Sequence, residues 1–153
     1  MARILLMYLL LLNPQPVTEW LSLPVALQTA ASENRPVLVY IKAPWCGPCK
    51  KMEREVFPKI SPLLDRFVLA KIDYDDHETL LAISDKHLTP FEWARHFGLD
   101  VTPGFALLEP NGKIITQFTG FQTQREMGLA LAFVATRAYR HGTFESYVAQ
   151  AGQ

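Results

Sequence analysis

Two cysteines stand three residues apart in the string Trp45-Cys46-Gly47-Pro48-Cys49-Lys50, and the chain has no others. Sulfur at that spacing has three uses. A zinc half-site needs two further ligands. The four histidines, His77, His87, His96 and His141, contain no pair at the three-to-five spacing of a finger, so no metal is expected. A purely structural disulfide would close too small a loop to stabilise much. The third use is thiol–disulfide exchange. One thiolate attacks a substrate disulfide, and the second thiol resolves the mixed disulfide that results.

The elements around the pair favour the third use. Val37-Leu38-Val39-Tyr40-Ile41 is a short, β-branched apolar run, the pattern of a central strand buried on both faces. It ends at Ala43-Pro44. Residues from Cys46 to about Val56 then favour helix, with Cys49, Met52 and Val56 on one face. Cys46 is therefore expected at a helix N-terminus. Free backbone N–H groups and the positive dipole end favour a thiolate there, lowering the thiol pKa from about 8.5 toward neutrality. Cys49 falls one turn into the helix, turned further inward but within disulfide reach. Pro48 supplies a fixed φ suited to a first helical turn. Cys46 is thus expected to attack and Cys49 to resolve.

Further along, Val17 to Ser32 is predicted as an opening helix interrupted at Pro24, and Pro58 and Pro62 interrupt the helix after the cysteines. Phe67 to Asp73 is a second strand. Two helices are predicted next. One covers about Glu78 to Lys86. The other starts at Thr89, where Pro90 and Glu92 complete a capping box with proline at N1, and it stops at Gly98. Phe105–Leu108 and Ile114–Phe118 flank an Asn111-Gly112 turn and should form an antiparallel hairpin. Thr123 and Glu126 form a second capping box, opening a helix with Met127, Leu131, Val134 and Ala138 on one stripe and ending at Gly142. Thr143 to Gln150 is a short terminal helix anchored by Phe144 and Tyr147. The order gives an α/β fold. A mixed central sheet of about four strands is flanked by helices on both faces.

The 153 residues are 49% apolar and 20% charged, which excludes disordered, collagen-like and low-complexity chains. A chain this long buries about 68–70% of its unfolded surface and needs no disulfide staples. Fifteen Lys plus Arg balance fifteen Asp plus Glu, so nucleic acid is not an expected partner. At the N-terminus, Arg3 precedes nine apolar residues, Ile4 to Leu12. That is the front half of a secretory signal peptide, although no small-x-small triplet follows closely. The run is shorter than the roughly 20 residues a membrane span needs. Residues 1–16 are read as a leader and 17–153 as one domain, which implies export. The alternative is an apolar N-terminal strand or helix of a cytoplasmic protein.

At the Trp45-Cys46-Gly47-Pro48-Cys49-Lys50 string the chain resembles the thioredoxin superfamily, over roughly Val17 to Arg140. Val101-Thr102-Pro103 is a second marker. The resemblance implies that Pro103 is a cis-proline facing the redox pair and that the Thr102 backbone pairs with a substrate chain. It implies that Gly120 lets substrate approach the rim. The fold implied is thioredoxin-like, with an extra helix inserted before the cis-proline. The stretch from Pro36 to Phe57 looks most like exported, periplasmic-type thioredoxin-like reductases.

Two departures stand out. Family members carry a buried Asp six residues before the first Cys, which helps move the proton off the resolving thiol. Here that position is Tyr40, a far weaker base at neutral pH. Lys71 matches the family's strand lysine but lacks its acidic partner, so a water, Glu53 or Asp73 is the expected substitute. The second departure is length: 28 positions separate Asp75 from Pro103, about twice a minimal thioredoxin. The extra segment offers either a partner surface or added core through Phe91, Trp93 and Phe97, and helical spacing of aromatics favours core.

The resemblance implies a thiol–disulfide oxidoreductase acting on protein disulfides. The Gly47-Pro48 dipeptide points to a reductase. Its electrons would come from a thiol or, after export, a membrane donor. No cofactor is expected beyond the Cys46–Cys49 pair, and the chain is read as a monomer. A disulfide oxidase or isomerase is the alternative within the same chemistry. A non-catalytic docking module using residues 76–98 is the alternative outside it.

Overall fold

The unbroken apolar run in the third element of the chain sets the architecture. In a computed structural model, which describes residues 19–152, strand β2 (Val37–Lys42) lies at the centre of a five-stranded sheet ordered β1-β3-β2-β6-β7. Strand β3 (Val68–Asp73) pairs with it in parallel, and β6 (Gly104–Leu108) pairs antiparallel on its other side. Strand β7 (Ile114–Thr119) closes that edge as the partner of β6, across the expected Asn-Gly turn. Strand β1 (Trp20–Leu21) is a two-residue parallel edge on β3.

Because side chains alternate across a strand, β2 feeds two cores. Leu38 and Tyr40 join one, with Phe105, Leu107 and Leu69, beneath the helical run after the cysteines and beneath α5 (Gln124–Ala135). Val37, Val39 and Ile41 join the other, beneath α1 (Leu23–Glu33) and α4 (Pro90–His96). The molecule is therefore a thioredoxin-like α/β/α sandwich. Among the described residues, no helix is long and apolar enough to cross a membrane. The expected leader, residues 1–16, and the start of the expected opening helix at Val17 lie outside the described residues.

Several expectations need correction. The sheet has five strands rather than about four, because Trp20–Leu21 pairs with Leu69–Ala70 instead of joining the opening helix. Helix α1 starts at Leu23, and Pro24 lies in its first turn, where the missing N–H costs nothing. After the cysteines the helical path changes pitch instead of breaking. It runs through α2 (Gly47–Lys51), a wide π turn at Met52–Val56, a 3-10 turn at Phe57–Ile60 and α3 (Ser61–Leu64). Pro58 and Pro62 each fall in the first turn of a segment.

The predicted helix at Glu78–Lys86 is a hairpin, β4 (Leu81–Ile83) and β5 (Lys86–Leu88). Asp76 Oδ1 accepts the Glu78 and Thr79 N–H groups, which turns the chain before a helix can start. Ser84 takes the positive φ, +55°, that the tight turn requires. Leu81, Ile83 and Leu88 then pack on the second core. Helix α5 ends at Ala135, well before Gly142. Thr136 Oγ1 donates back to the Ala132 carbonyl, and Arg137 turns left-handed at φ +60°. The terminal helix α6 (Phe144–Ala151) does seat Phe144 and Tyr147, against Phe133 at 5.4 and 5.3 Å.

Candidate functional site

Strand β2 delivers the chain to the top of the sheet, and the turn Ala43-Pro44-Trp45 is closed by the Cys46 N–H donating to Ala43 O at 3.1 Å. Cys46 caps α2. Its Sγ accepts the Cys49 N–H at 3.1 Å, and the two cysteines are joined by a disulfide with Cα atoms 5.2 Å apart. Pro48 lies in the first helical turn. Cys46 keeps 2% of its surface and Cys49 none, so both cysteines are sunk, Cys49 deeper. Gly47 is exposed with open space around its Cα. Lys50 is exposed beside it.

Trp45 is the prominent rim residue, 65% exposed, and its indole N–H donates to Asp75 Oδ2 at 2.7 Å. The Thr102–Pro103 peptide bond is cis. The antiparallel register of Ile41 with Gly104 sets Pro103 at the end of the sheet where β2 hands over to the cysteines. Gly120, at φ +88°, donates its N–H to Pro103 O at 2.8 Å, tying the end of β7 to that loop. Gln122 Nε2 in turn donates to Gly120 O at 3.1 Å. Thr102 Oγ1 is buried and has no hydrogen-bond partner.

Below Cys49 lies Tyr40, 1% exposed. Its hydroxyl donates toward Cys49 O at 3.3 Å and Glu53 Oε1 at 3.4 Å. Lys42 Nζ meets the same Glu53 oxygen at 2.5 Å. Burial, and then the Glu53 carboxylate, push the Tyr40 phenol well above its ordinary value of 10. Of the two carboxylates expected to stand in for the missing Asp, the structure brings Glu53 to this spot. Asp73 Oδ1 is occupied by the Asp75 N–H. Lys71 stands in register with Tyr40, but it is exposed and makes no hydrogen bond or ion pair among the described residues. Lys42 holds the carboxylate instead. Glu53 follows Cys49 by four residues, a same-face spacing that could have been read. Asp75 as the acceptor for Trp45 carries no sequence signal, since it depends on a turn after β3. Among the described residues, no three His, Cys, Asp or Glu side chains gather into a metal-binding group.

The Phe91, Trp93 and Phe97 segment divides. Trp93 and Phe97 are in the second core, while Phe91 is half-buried against Tyr74 at 5.0 Å. A Cys-x-x-Cys disulfide opening the helix after the central strand of a mixed sheet defines a thioredoxin-like protein. The profile of the thioredoxin-like domain matches residues 23–135, and the chain belongs to that family. It is 27% identical over 107 residues to a thioredoxin of Alicyclobacillus acidocaldarius, covering 70% of this chain and 89% of that one. It is 26% identical over 96 residues to the mitochondrial thioredoxin of Mus musculus, covering 63% of this chain. The chain spans about half the length of the mitochondrial relatives it matches, 49%. Among solved structures, a thioredoxin from Thermus thermophilus superposes with a TM-score of 0.63 at 27% identity, covering 78% of this chain and 88% of its own. A thioredoxin-fold protein from Helicobacter pylori gives 0.59 at 14% identity, covering 77% and 84%, a likeness of fold.

Proposed function

We propose that this chain is a thiol–disulfide oxidoreductase that reduces protein disulfides. The observation that carries the reading is the Cys46–Cys49 disulfide itself, capping a helix with Cys46 Sγ already accepting a backbone N–H. That donor belongs to the helix and remains when the disulfide is cut, so it is available to hold a thiolate on Cys46. The thiolate attacks a client disulfide and one client sulfur leaves. Cys49 then attacks Cys46 and releases the second client sulfur, leaving the chain oxidised. The chemistry uses the cysteine pair and no other cofactor.

An extended client segment is proposed to lie along Thr102-Pro103, between the exposed Trp45 and Gly120. The reducing direction is supported by the Gly-Pro dipeptide between the cysteines. Export is supported by the apolar N-terminal run, and an exported reductase draws its electrons from a membrane donor because its compartment is oxidising. The test is equilibration of the protein in graded thiol–disulfide buffers, counting free Cys46 and Cys49 thiols by alkylation. A potential of roughly −230 to −270 mV fits the reductase. A potential near about −120 mV makes the protein an oxidant, and absence of a reversible couple removes the redox reading altogether.

A further inference from the structure

Four connections meet at the end of the sheet remote from the cysteines. The turn after α1 enters β2 at Val37, the segment after α3 enters β3 at Val68, β6 leaves at Leu108, and α5 stops at Ala135. The six residues of β2 put this end about 20 Å from the cysteine pair. Between the connections lies a cavity of about 310 Å³, and Arg35, Arg66, Arg137, Arg140, Tyr139 and Glu109 are in its lining. The chain has eight arginines and seven lysines. Half of the arginines line this one cavity, and among the described residues no lysine does. The bias is therefore in residue type as well as charge. A guanidinium is a planar fork that meets phosphate oxygens two at a time, which an ammonium cannot do.

Folding accounts for two of the four. Arg35 pairs with Glu33 at 2.7 Å and donates to the Asp65 and Phe67 carbonyls at 2.7 and 2.8 Å. Arg66 donates to the carbonyl of Ala135, the last residue of α5, at 3.5 Å. These bonds brace residues 65–67 between α1 and α5 and give the cavity fixed walls. Arg137 and Arg140 have no such task. Neither guanidinium makes a hydrogen bond or an ion pair among the described residues, and Arg140 only lies over the Tyr139 ring, 5.8 Å from its centroid. The Arg140 N–H donates to Arg137 O at 3.1 Å, so one tight turn presents both side chains. Glu109, from the β6–β7 turn, is the one carboxylate in the lining, and it is ion-paired to none of the arginines. On a chain of zero net charge, this cavity is left strongly positive.

We propose that this cavity binds a small diphosphate-bearing anion, with Arg66, Arg137 and Arg140 as its ligands. The volume sets the size of that ligand. It stands at the low end of the roughly 300–1,000 Å³ of small-molecule sites, which suits a compact anion rather than a dinucleotide. The charge sets its valence. A diphosphate carries enough negative charge to balance the surplus guanidiniums, where a monophosphate leaves part of it unpaired. Bound there, the anion also relieves the repulsion among arginines that the fold gathers without carboxylate partners.

The test is isothermal titration of the full chain with sodium pyrophosphate at about 0.15 M salt, where exposed charges are already screened. One saturable site per chain is expected, with orthophosphate binding more weakly. Arg137→Gln and Arg140→Gln should each weaken it by about tenfold or more, the loss of a hydrogen bond to a charged group. Arg137→Lys keeps the charge without the fork and should weaken it as well. Arg125→Gln removes the same charge from the exposed first turn of α5, at the other end of that helix, and should leave affinity within about twofold. Glu109→Gln should tighten binding. Titration with ADP distinguishes an esterified diphosphate from a free one, and binding of either supports the site. Absence of both from the wild-type protein overturns the proposal, as does an equal loss in Arg125→Gln. Binding of polyglutamate without pyrophosphate would mark a surface for acidic protein segments and would also overturn it. Arg35 is left intact because its bonds hold the fold, and thermal melting of each variant separates lost binding from misfolding.

Discussion

Replacing Gly104 by alanine should destabilise the protein and slow client reduction together. Gly104 opens β6, directly after Pro103 and opposite Ile41. A Cβ at this position would stand 3.1 Å from the Val101 carbonyl oxygen and 3.3 Å from both Ile41 Cγ1 and Leu99 Cβ. None of these is the loose end of an exposed side chain. One is backbone, and the other two belong to residues buried in the second core. The backbone at Gly104 is outside the left-handed region, so alanine should gain about 0.4–1 kcal/mol from restricting the unfolded chain. Against that, overpacking a filled site costs about 1–3 kcal/mol. The middle of each range leaves a net loss of about 1.3 kcal/mol. For a chain of this size that lowers Tm by about 3–5 °C. The cheapest relief is a shift of the Val101 carbonyl by a few tenths of an ångström, which carries Thr102 with it. Calorimetry and a disulfide-reduction assay on a protein substrate therefore read one cause in two ways. A Tm that rises, with unchanged turnover, would show that the 101–103 loop yields freely and would refute the reasoning.

Three further outcomes are expected. Trp93→Ala should cost about 3–5 kcal/mol, as buried aromatic truncations do, and should free the Leu81–Leu88 hairpin, which loses the indole bond to Leu81 O at 3.2 Å. Hydrogen exchange should quicken at residues 81–88 before it quickens in β2 and β3, and unchanged hairpin protection would contradict the packing described. Glu126→Gln should lower Tm at neutral pH but not in acid. The Thr123 backbone N–H and then its hydroxyl hold the Glu126 carboxyl below its ordinary value of 4.5, so its contribution is present above that value and is lost as pH falls through the folded-state value. A Tm gap independent of pH would sink this. Cys49→Ala should accumulate covalent mixed disulfides through Cys46, visible on non-reducing gels, and a protein that traps no client would count heavily against the enzyme reading.

Both capping boxes were legible in the sequence to the residue, because a capping box is a contact between residues three apart and its chemistry is complete within the string. Thr89 with Glu92 and Thr123 with Glu126 form as read. The Asn111-Gly112 turn was legible for the same reason, with Gly112 at φ +86°. The Cys46–Cys49 motif was legible because its helix-start position follows from the apolar run that precedes it. What was misread depends on distant partners. Leu81 to Leu88 has enough helix-compatible residues to pass as a helix, and only the core face waiting for Leu81, Ile83 and Leu88 selects the strand period. Ala138 sits at a helical repeat of Val134, yet the left-handed Arg137 breaks the helix between them. Nothing in the identity of Arg137 announces a positive φ.

The departure at Tyr40 links these lessons to the chemistry. A phenol beneath Cys49 is a far weaker base than a carboxylate at neutral pH, and read alone it looks like a loss. In the fold, the same phenol spans from the Cys49 backbone to a carboxylate on the next helical turn, and that carboxylate is paired with a lysine from the same strand face. A buried Asp would meet its desolvation cost at the sheet centre. Here the charge is moved outward to Glu53, whose side chain is 39% exposed, while the neutral hydroxyl occupies the buried position. The arrangement keeps a carboxylate within a hydrogen bond of the Tyr40 hydroxyl without burying it. It follows that a single substitution, Tyr40→Asp, should not be accommodated in place of the phenol. The new carboxylate would lie in the aromatic cluster of Trp20, Phe57 and Phe105, with Lys42 already committed to Glu53. The variant should therefore melt lower than the wild type, and more so at neutral pH than in acid, where the buried acid is protonated. A Tyr40→Asp protein as stable at pH 7 as at pH 4, relative to wild type, would show that the cluster already tolerates a charge.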